Sequence, residues 1–300
     1  MKHPRNAIAL LLTIMFVMVI TVAIGFGLKQ VNSASQIVNE EKFMYQSTLI
    51  VEDIFNILKK SPDIKKIVDS NTSDDLYLFL SQVTFIPFTL QNMEVTLKIS
   101  SARSKFDPSY IETNTTIKEK LGAYLNRYGV NSQYVEILAD NLNGIKDDNS
   151  YNSRIFDEDP YLFRDYIASS AHLQKINNFY TKEYNDNSLS KVDLNNLFYF
   201  GSERNTTIDL NYATPAVWEL MLGVSKERAQ ALSLGGGAYS SAEDLGLNDD
   251  ESRALEAFKV SFFVPTILVE VEILEGEKNS KISFEYNIKT EEGSNFVYEI

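Results

Sequence analysis

AIALLLTIMFVMVITVAIGFGL, residues 7–28, runs without a break into KQVNSASQIVNEEKFMYQSTLIVEDIFNILKK, residues 29–60. The first stretch is uncharged and about 22 residues long, or about 33 Å as a helix, enough to span a hydrocarbon core. Lys2, His3 and Arg5 precede it and Lys29 follows. Basic residues on the short N-terminal side predict an N-in, C-out orientation. The run exceeds the apolar region of a cleaved secretory signal, and no small-x-small site stands at its end. The second stretch has no proline, and no glycine stands between Gly27 and Gly122. Val31, Ile37, Val38, Phe43, Ile50, Ile54, Ile57 and Leu58 recur at three- and four-residue spacings, a helical stripe that Pro62 then stops. These two stretches predict one long helix, half in lipid and half amphipathic. The amphipathic half must bury its stripe, most simply on a sheet.

A sheet is available downstream. TFIPFTL, Gln91-Asn92 and MEVTLKIS read as a hairpin over Thr84–Ile99, with Val95, Leu97 and Ile99 alternating with Thr96 and Lys98. After FFV and TILVEVEI come the polar turn EGEKNSK, KISFEYNI, EEGSN and FVYEI, a three-stranded antiparallel meander with one polar face. Between hairpin and meander the composition changes to helical periodicity rich in Asn, Asp and Tyr. Helices are predicted over Ser109–Tyr128, Ser132–Leu142, Pro160–Ile167, Pro215–Leu222, Lys226–Leu232 and Asp249–Lys259. An α-rich block thus interrupts an α+β unit.

Composition narrows the chemistry. The chain has 300 residues, a formal net charge of −13 and no cysteine. An acidic surface repels nucleic acid and anionic lipid. Without cysteine there is no disulfide, thiolate nucleophile or Cys-ligated zinc. Only His3 and His172 are present, which leaves no material for a histidine triad or a multi-histidine metal site. No serine has a companion base, so no enzyme activity is predicted. GGGAYSS, Gly235–Ser241, lacks the Lys-Ser/Thr of a P-loop and reads as a flexible turn.

The order of basic leader, apolar helix, amphipathic helix, strands, helical insertion and strands resembles the minor pseudopilin K (GspK) family of type II secretion systems. RNAIALLLTIM is similar to the family's leader junction, with Ala7 where the family has glycine and Ile8 as the first mature residue. Leu12 stands at the fifth mature position, where most pilins carry glutamate; lack of that charge resembles a subunit with no neighbour above it, at a tip. MEVTLKISSARSKFDPSYI is similar to the strand-to-insertion passage, though its Gly and Asn are missing. LADNLNGIKDDNS and FDEDPYL resemble the family's acidic loops, and IDLNYATPAVWELMLGVSKERAQAL, with Asn211 and Ala213 matching, resembles the approach to a helical hairpin.

The resemblance implies a pilin-like long N-terminal helix packed on an antiparallel sheet, with a large inserted α-helical domain. Its parts would be a leader at 1–7, the transmembrane half-helix at 8–28, the amphipathic helix and first strands at 29–104, the inserted domain at 105–257 and the last strands at 258–300. It implies a structural subunit at the tip of a secretion pseudopilus, helping initiate assembly and contacting cargo or channel. Prepilin peptidase would cut between Ala7 and Ile8. The implied place is the inner membrane, single-pass through Ala7–Leu28, with a cytoplasmic N-terminus and a periplasmic C-terminal domain. Other minor pseudopilins, met through Val38, Phe43 and nearby stripe residues, and secretion machinery components would be the partners. Calcium is implied in the acidic loops, and Asp140, Asn143, Asp147, Asp148, Glu158 and Asp159 are candidate oxygen donors; no other cofactor is implied.

Three further readings stay open on the residues. Asn71, Asn114 and Asn205 lie in acidic-x-Asn-x-Ser/Thr patterns that suit bacterial glycosylation. A single-span anchored binding or adhesion protein also fits the membrane segment. MLGVSKERAQAL, Met221–Leu232, resembles the helix-hairpin-helix of exported DNA-uptake proteins, but Ser225 replaces the second turn glycine and the acidic surroundings disfavour nucleic acid.

Overall fold

The computed structural model describes residues 40–299 apart from 91 and 149. The junction Ala7–Ile8, Leu12, the apolar segment to Leu28 and the stripe residues Val31, Ile37 and Val38 lie outside the described residues. Among the described residues no helix is long and apolar enough to cross a membrane. The chain divides between Ile57 and Leu58 into two compact units.

Residues 40–60 are helical (α1). Phe43, Ser47, Ile50, Val51, Ile54 and Leu58 are buried, the three- and four-residue spacing of one helix face. Met44, Tyr45, Leu49 and Ile57 are exposed. Of the predicted stripe, Phe43, Ile50, Ile54 and Leu58 are buried while Ile57 is exposed, so Phe43 is not open as the predicted partner contact. Pro62 ends α1 as expected but also opens α2 (Pro62–Ser70), with Ser61 accepting a hydrogen bond from the Ile64 N–H. A proline at the first turn loses no helical bond. α3 (Ser73–Gln82) follows.

β1 (Ile86–Leu90), β2 (Met93–Ser101), β5 (Thr266–Glu275), β6 (Lys278–Asn287) and β7 (Glu292–Glu299) form one antiparallel sheet in the order β1-β2-β5-β6-β7. Chain neighbours pair except at β2 and β5. There the chain leaves the sheet at Ser101 and returns beside itself at Thr266, with Ser101 opposite Ile267. Val95, Ile99, Val269, Val271, Ile273, Ile282, Phe284 and Tyr286 are buried on one face. The other face carries Lys98 opposite Glu270 (2.6 Å) and Glu272 opposite Lys281 (3.6 Å). That is the period-2 alternation read from the sequence. The strands run further into their turns than predicted. β5 and β6 are joined by Gly276-Glu277 alone, with Gly276 at φ 62°, as a tight hairpin requires.

The segment between β2 and β5 holds α4 (Tyr110–Thr113), α5 (Thr115–Arg127), α6 (Gln133–Leu142), α7 (Ile155–Glu158), α8 (Ser170–Tyr184), α9 (Leu194–Leu197), α10 (Pro215–Leu222), α11 (Lys226–Leu234) and α12 (Asp249–Leu255). A two-residue strand β3 (Ile208–Asp209) pairs in parallel with β4 (Val260–Ser261). One hydrophobic cluster from Phe106 to Phe258 fills this block, with Tyr134, Tyr180, Phe198 and Trp218 at its centre. The predicted Ser109–Tyr128 helix is broken by Asn114, whose side chain caps α5 through the Ile117 N–H. Pro160–Ile167 is not a helix: Asp165 stands at φ 137°, outside the right-handed region. α8 went unpredicted, although Leu173, Ile176 and Tyr180 form a buried stripe behind a Ser169 cap.

Candidate functional site

Where the inserted block leaves the sheet, buried charged side chains reinforce backbone bonds such as that from the Asp209 N–H to the Arg103 carbonyl (2.8 Å). Arg103 is buried; it donates to Glu285 of β6 (2.7 Å) and to Glu203, and its guanidinium lies 5.2 Å over the Tyr199 ring. Glu285 is buried as well. A buried pair of this kind contributes modest net stability when complete but is damaging when halved. Next to it, the Asp209 carboxylate accepts from the Val264 N–H (2.8 Å) and the Asn211 N–H (3.0 Å). Burial pushes the Asp209 carboxyl up to about 6 against the lowering effect of those two bonds.

Asn211 uses its whole amide. Its Nδ2 donates to the Tyr239 and Phe262 carbonyls (2.8 and 2.7 Å), and its Oδ1 accepts from the Gly237 and Tyr239 N–H groups (2.8 and 2.9 Å). The glycine run is therefore a close-packed turn, not a flexible one. A Cβ at Gly236 would stand 2.2 Å from the Asn211 carbonyl oxygen, and Gly237 has φ 89°. The predicted helical hairpin is present as α10, Gly223 in the left-handed region, a Ser225 cap and α11. The Arg127 guanidinium donates to the Val224 carbonyl of its turn (2.8 Å).

The six candidate calcium donors do not converge. Asp140 is fully buried at the end of α6, and its two oxygens accept from the Asn152 N–H (2.9 Å), the Asn152 Nδ2 (3.1 Å), the Ser153 N–H (2.7 Å) and the Ser153 hydroxyl (2.7 Å). Asn143 Nδ2 donates to the Ala139 carbonyl, Asp148 accepts from the Ser150 N–H, and Glu158 pairs with Lys182 at 2.7 Å. Asp147 is exposed and Asp159 caps the end of α7. Among the described residues no group of three or more His, Cys, Asp or Glu is placed to hold a metal. This donor set does not fit a hard cation that needs six to eight free oxygens.

The three glycosylation candidates also differ in setting. Asn71 is exposed as the left-handed cap of α2. The Asn114 side chain is engaged in its helix cap. Asn205, at φ 53°, has its side-chain oxygen buried, and its carbonyl accepts from the Tyr110 hydroxyl at 3.0 Å.

Sequence reasoning missed two residues that organise this region. Arg103 and Arg204 each join segments far apart in the chain. Neither had a local signal: their acceptors lie on distant segments, and the acid four residues after Arg103, Asp107, accepts instead from the Ser109 and Thr206 N–H groups.

No family model matches the chain, and no curated protein matches it. Among solved structures the chain is similar to the GspK chain of the GspK–GspI–GspJ complex from the enterotoxigenic Escherichia coli type 2 secretion system. The TM-score is 0.52 at 13% identity, and the match covers 87% of this chain and 98% of that one. At that identity the likeness concerns the fold alone.

Proposed function

We propose that this chain is a structural minor pseudopilin that stands at the tip of a type II secretion pseudopilus. The observation that carries the reading is the place of the interruption. The block between Ser101 and Thr266 is far larger than the sheet it interrupts, and the fold likeness to the solved GspK chain covers 98% of that chain. Such a bulky insertion is hard to fit between stacked subunits and is accommodated at an end. In this reading residues 8–28 hold the protein in the inner membrane, the prepilin cut falls between Ala7 and Ile8, and Leu12 leaves the first mature turn without a charge for a neighbour above. The exposed Tyr45, Leu49 and Ile57, at four- and eight-residue spacing on α1, then offer an apolar strip for the helices of other minor pseudopilins. The inserted block meets cargo or channel and helps assembly begin. No catalysis belongs to this role.

The experiment is co-purification of the full-length chain with the other pilin-like subunits encoded beside it. Wild type should bring them down, and the Tyr45→Ser/Leu49→Ser double variant should lose most of that recovery at unchanged thermal stability. Recovery equal to wild type, or no pilin-like partner at all, contradicts the proposal.

A further inference from the structure

Oxygens do gather at the end of α6, but around an arginine. Arg204 Nη1 donates to the Glu112 carboxylate of α4. Its Nη2 donates to the Leu142 carbonyl (2.8 Å), the Asp165 carbonyl (2.6 Å) and Asp165 Oδ1 (2.5 Å). Four oxygens from three separated segments therefore surround one cation that belongs to the chain. Leu142 lies in the last turn of α6, where carbonyls lack helical partners and carry the negative end of the dipole. The adjacent Asn141 carbonyl accepts from the Asp165 N–H at 2.9 Å. Asp165 makes both contacts from a strained backbone, φ 137°, which a non-glycine residue holds only where surrounding bonds enforce it.

We propose that the Arg204 guanidinium is a built-in cation that organises the loops after α6, so that this region folds without a divalent metal. The planar fork of a guanidinium suits carbonyl and carboxylate oxygens that lie in different directions, whereas a calcium ion needs six to eight oxygens at 2.3–2.6 Å. The second half of the device is Asp140. Two backbone N–H groups, an amide and a hydroxyl point their hydrogens at its carboxylate, and those hydrogens close the connection to Ser153 from within. A metal arriving there would meet four donors rather than four lone pairs. The buried Asn141 Oδ1 has no hydrogen-bond partner, but one neutral oxygen is a water site, not a calcium site.

The test is thermal unfolding of the full-length protein in detergent, in EDTA and in millimolar calcium chloride. Wild type, Arg204→Ala and Arg204→Lys are compared. Wild type should melt at the same temperature in both buffers. Arg204→Ala should melt about 3–6 °C lower, because charge-assisted bonds from three segments are lost together. If Arg204→Ala does not fold, Arg204→Lys, which keeps the charge but not the fork, should fold with a smaller loss and stay indifferent to calcium. A calcium-dependent rise of several degrees in wild type overturns the proposal. So does an Arg204→Ala protein that melts with wild type.

Discussion

The sheet and the inserted block solve the same problem with different groups. In the sheet each inner strand pairs on both sides, so its backbone is satisfied by the ladder and its side chains only have to alternate. Lys98–Glu270 and Lys281–Glu272 decorate an exposed face and hold nothing together that the ladder does not. In the inserted block the helices are short and the connections between them long. There side chains satisfy the connecting backbone: Asn211 for the glycine turn, Asp140 for residues 152 and 153, Asp209 for Val264, Arg204 for the last carbonyls of α6. A fold that interrupts a sheet with irregular chain must supply such residues in its interior.

That contrast can be broken by substitution. The largest effect belongs at the junction of the two regions. Arg103→Met leaves Glu285 buried without its partner and should destabilise the protein by about 3–5 kcal/mol in urea unfolding. A loss below 1 kcal/mol would mean that the junction does not depend on the pair. Asn211→Ala removes four hydrogen bonds and strands two N–H groups and two carbonyls, for about 2–4 kcal/mol. Next comes pH. The folded Asp209 carboxyl titrates near 6, above the 3.8 of an unperturbed aspartate, so the native state binds its proton more tightly than the unfolded chain. Stability from this group is full below about pH 4 and falls by up to about 3 kcal/mol as pH rises through 6. Urea midpoints at pH 4 to 7 should show that decline in wild type and a flatter profile in Asp209→Asn. Identical profiles would remove the assignment. The smallest effect belongs to the sheet surface, where Lys98→Ala should change stability by less than about 1 kcal/mol, less still in high salt.

The same contrast explains what could be read from the residues. Alternation at Val95, Leu97 and Ile99 and in TILVEVEI is local, and the strands are where it placed them, lengthened by a few residues at their turns. Pro215 and Gly223 bound α10 by local chemistry and were legible for the same reason. Helix α8 was missed because its buried residues are diluted by Lys, Asn and Gln on the exposed sides. The bonds of Arg103 and Arg204 span 182 and 92 residues, and nothing local encodes them. The acidic loops were misleading in an instructive way. Asp, Asn and Glu cluster there as they would around a metal, yet the same residue types cap helices and close turns, and the structure uses them so. Phe43 was given to a partner because a stripe does not say which of its members are buried.

The functional claim rests on the N-terminal apolar segment read from the sequence, and its maturation tests that claim most directly. Intact-mass and N-terminal mass spectrometry of the protein extracted from membranes should find a mature chain starting at Ile8. A chain that keeps Met1, in cells with an active prepilin peptidase, would contradict the assignment of this protein to a pseudopilus.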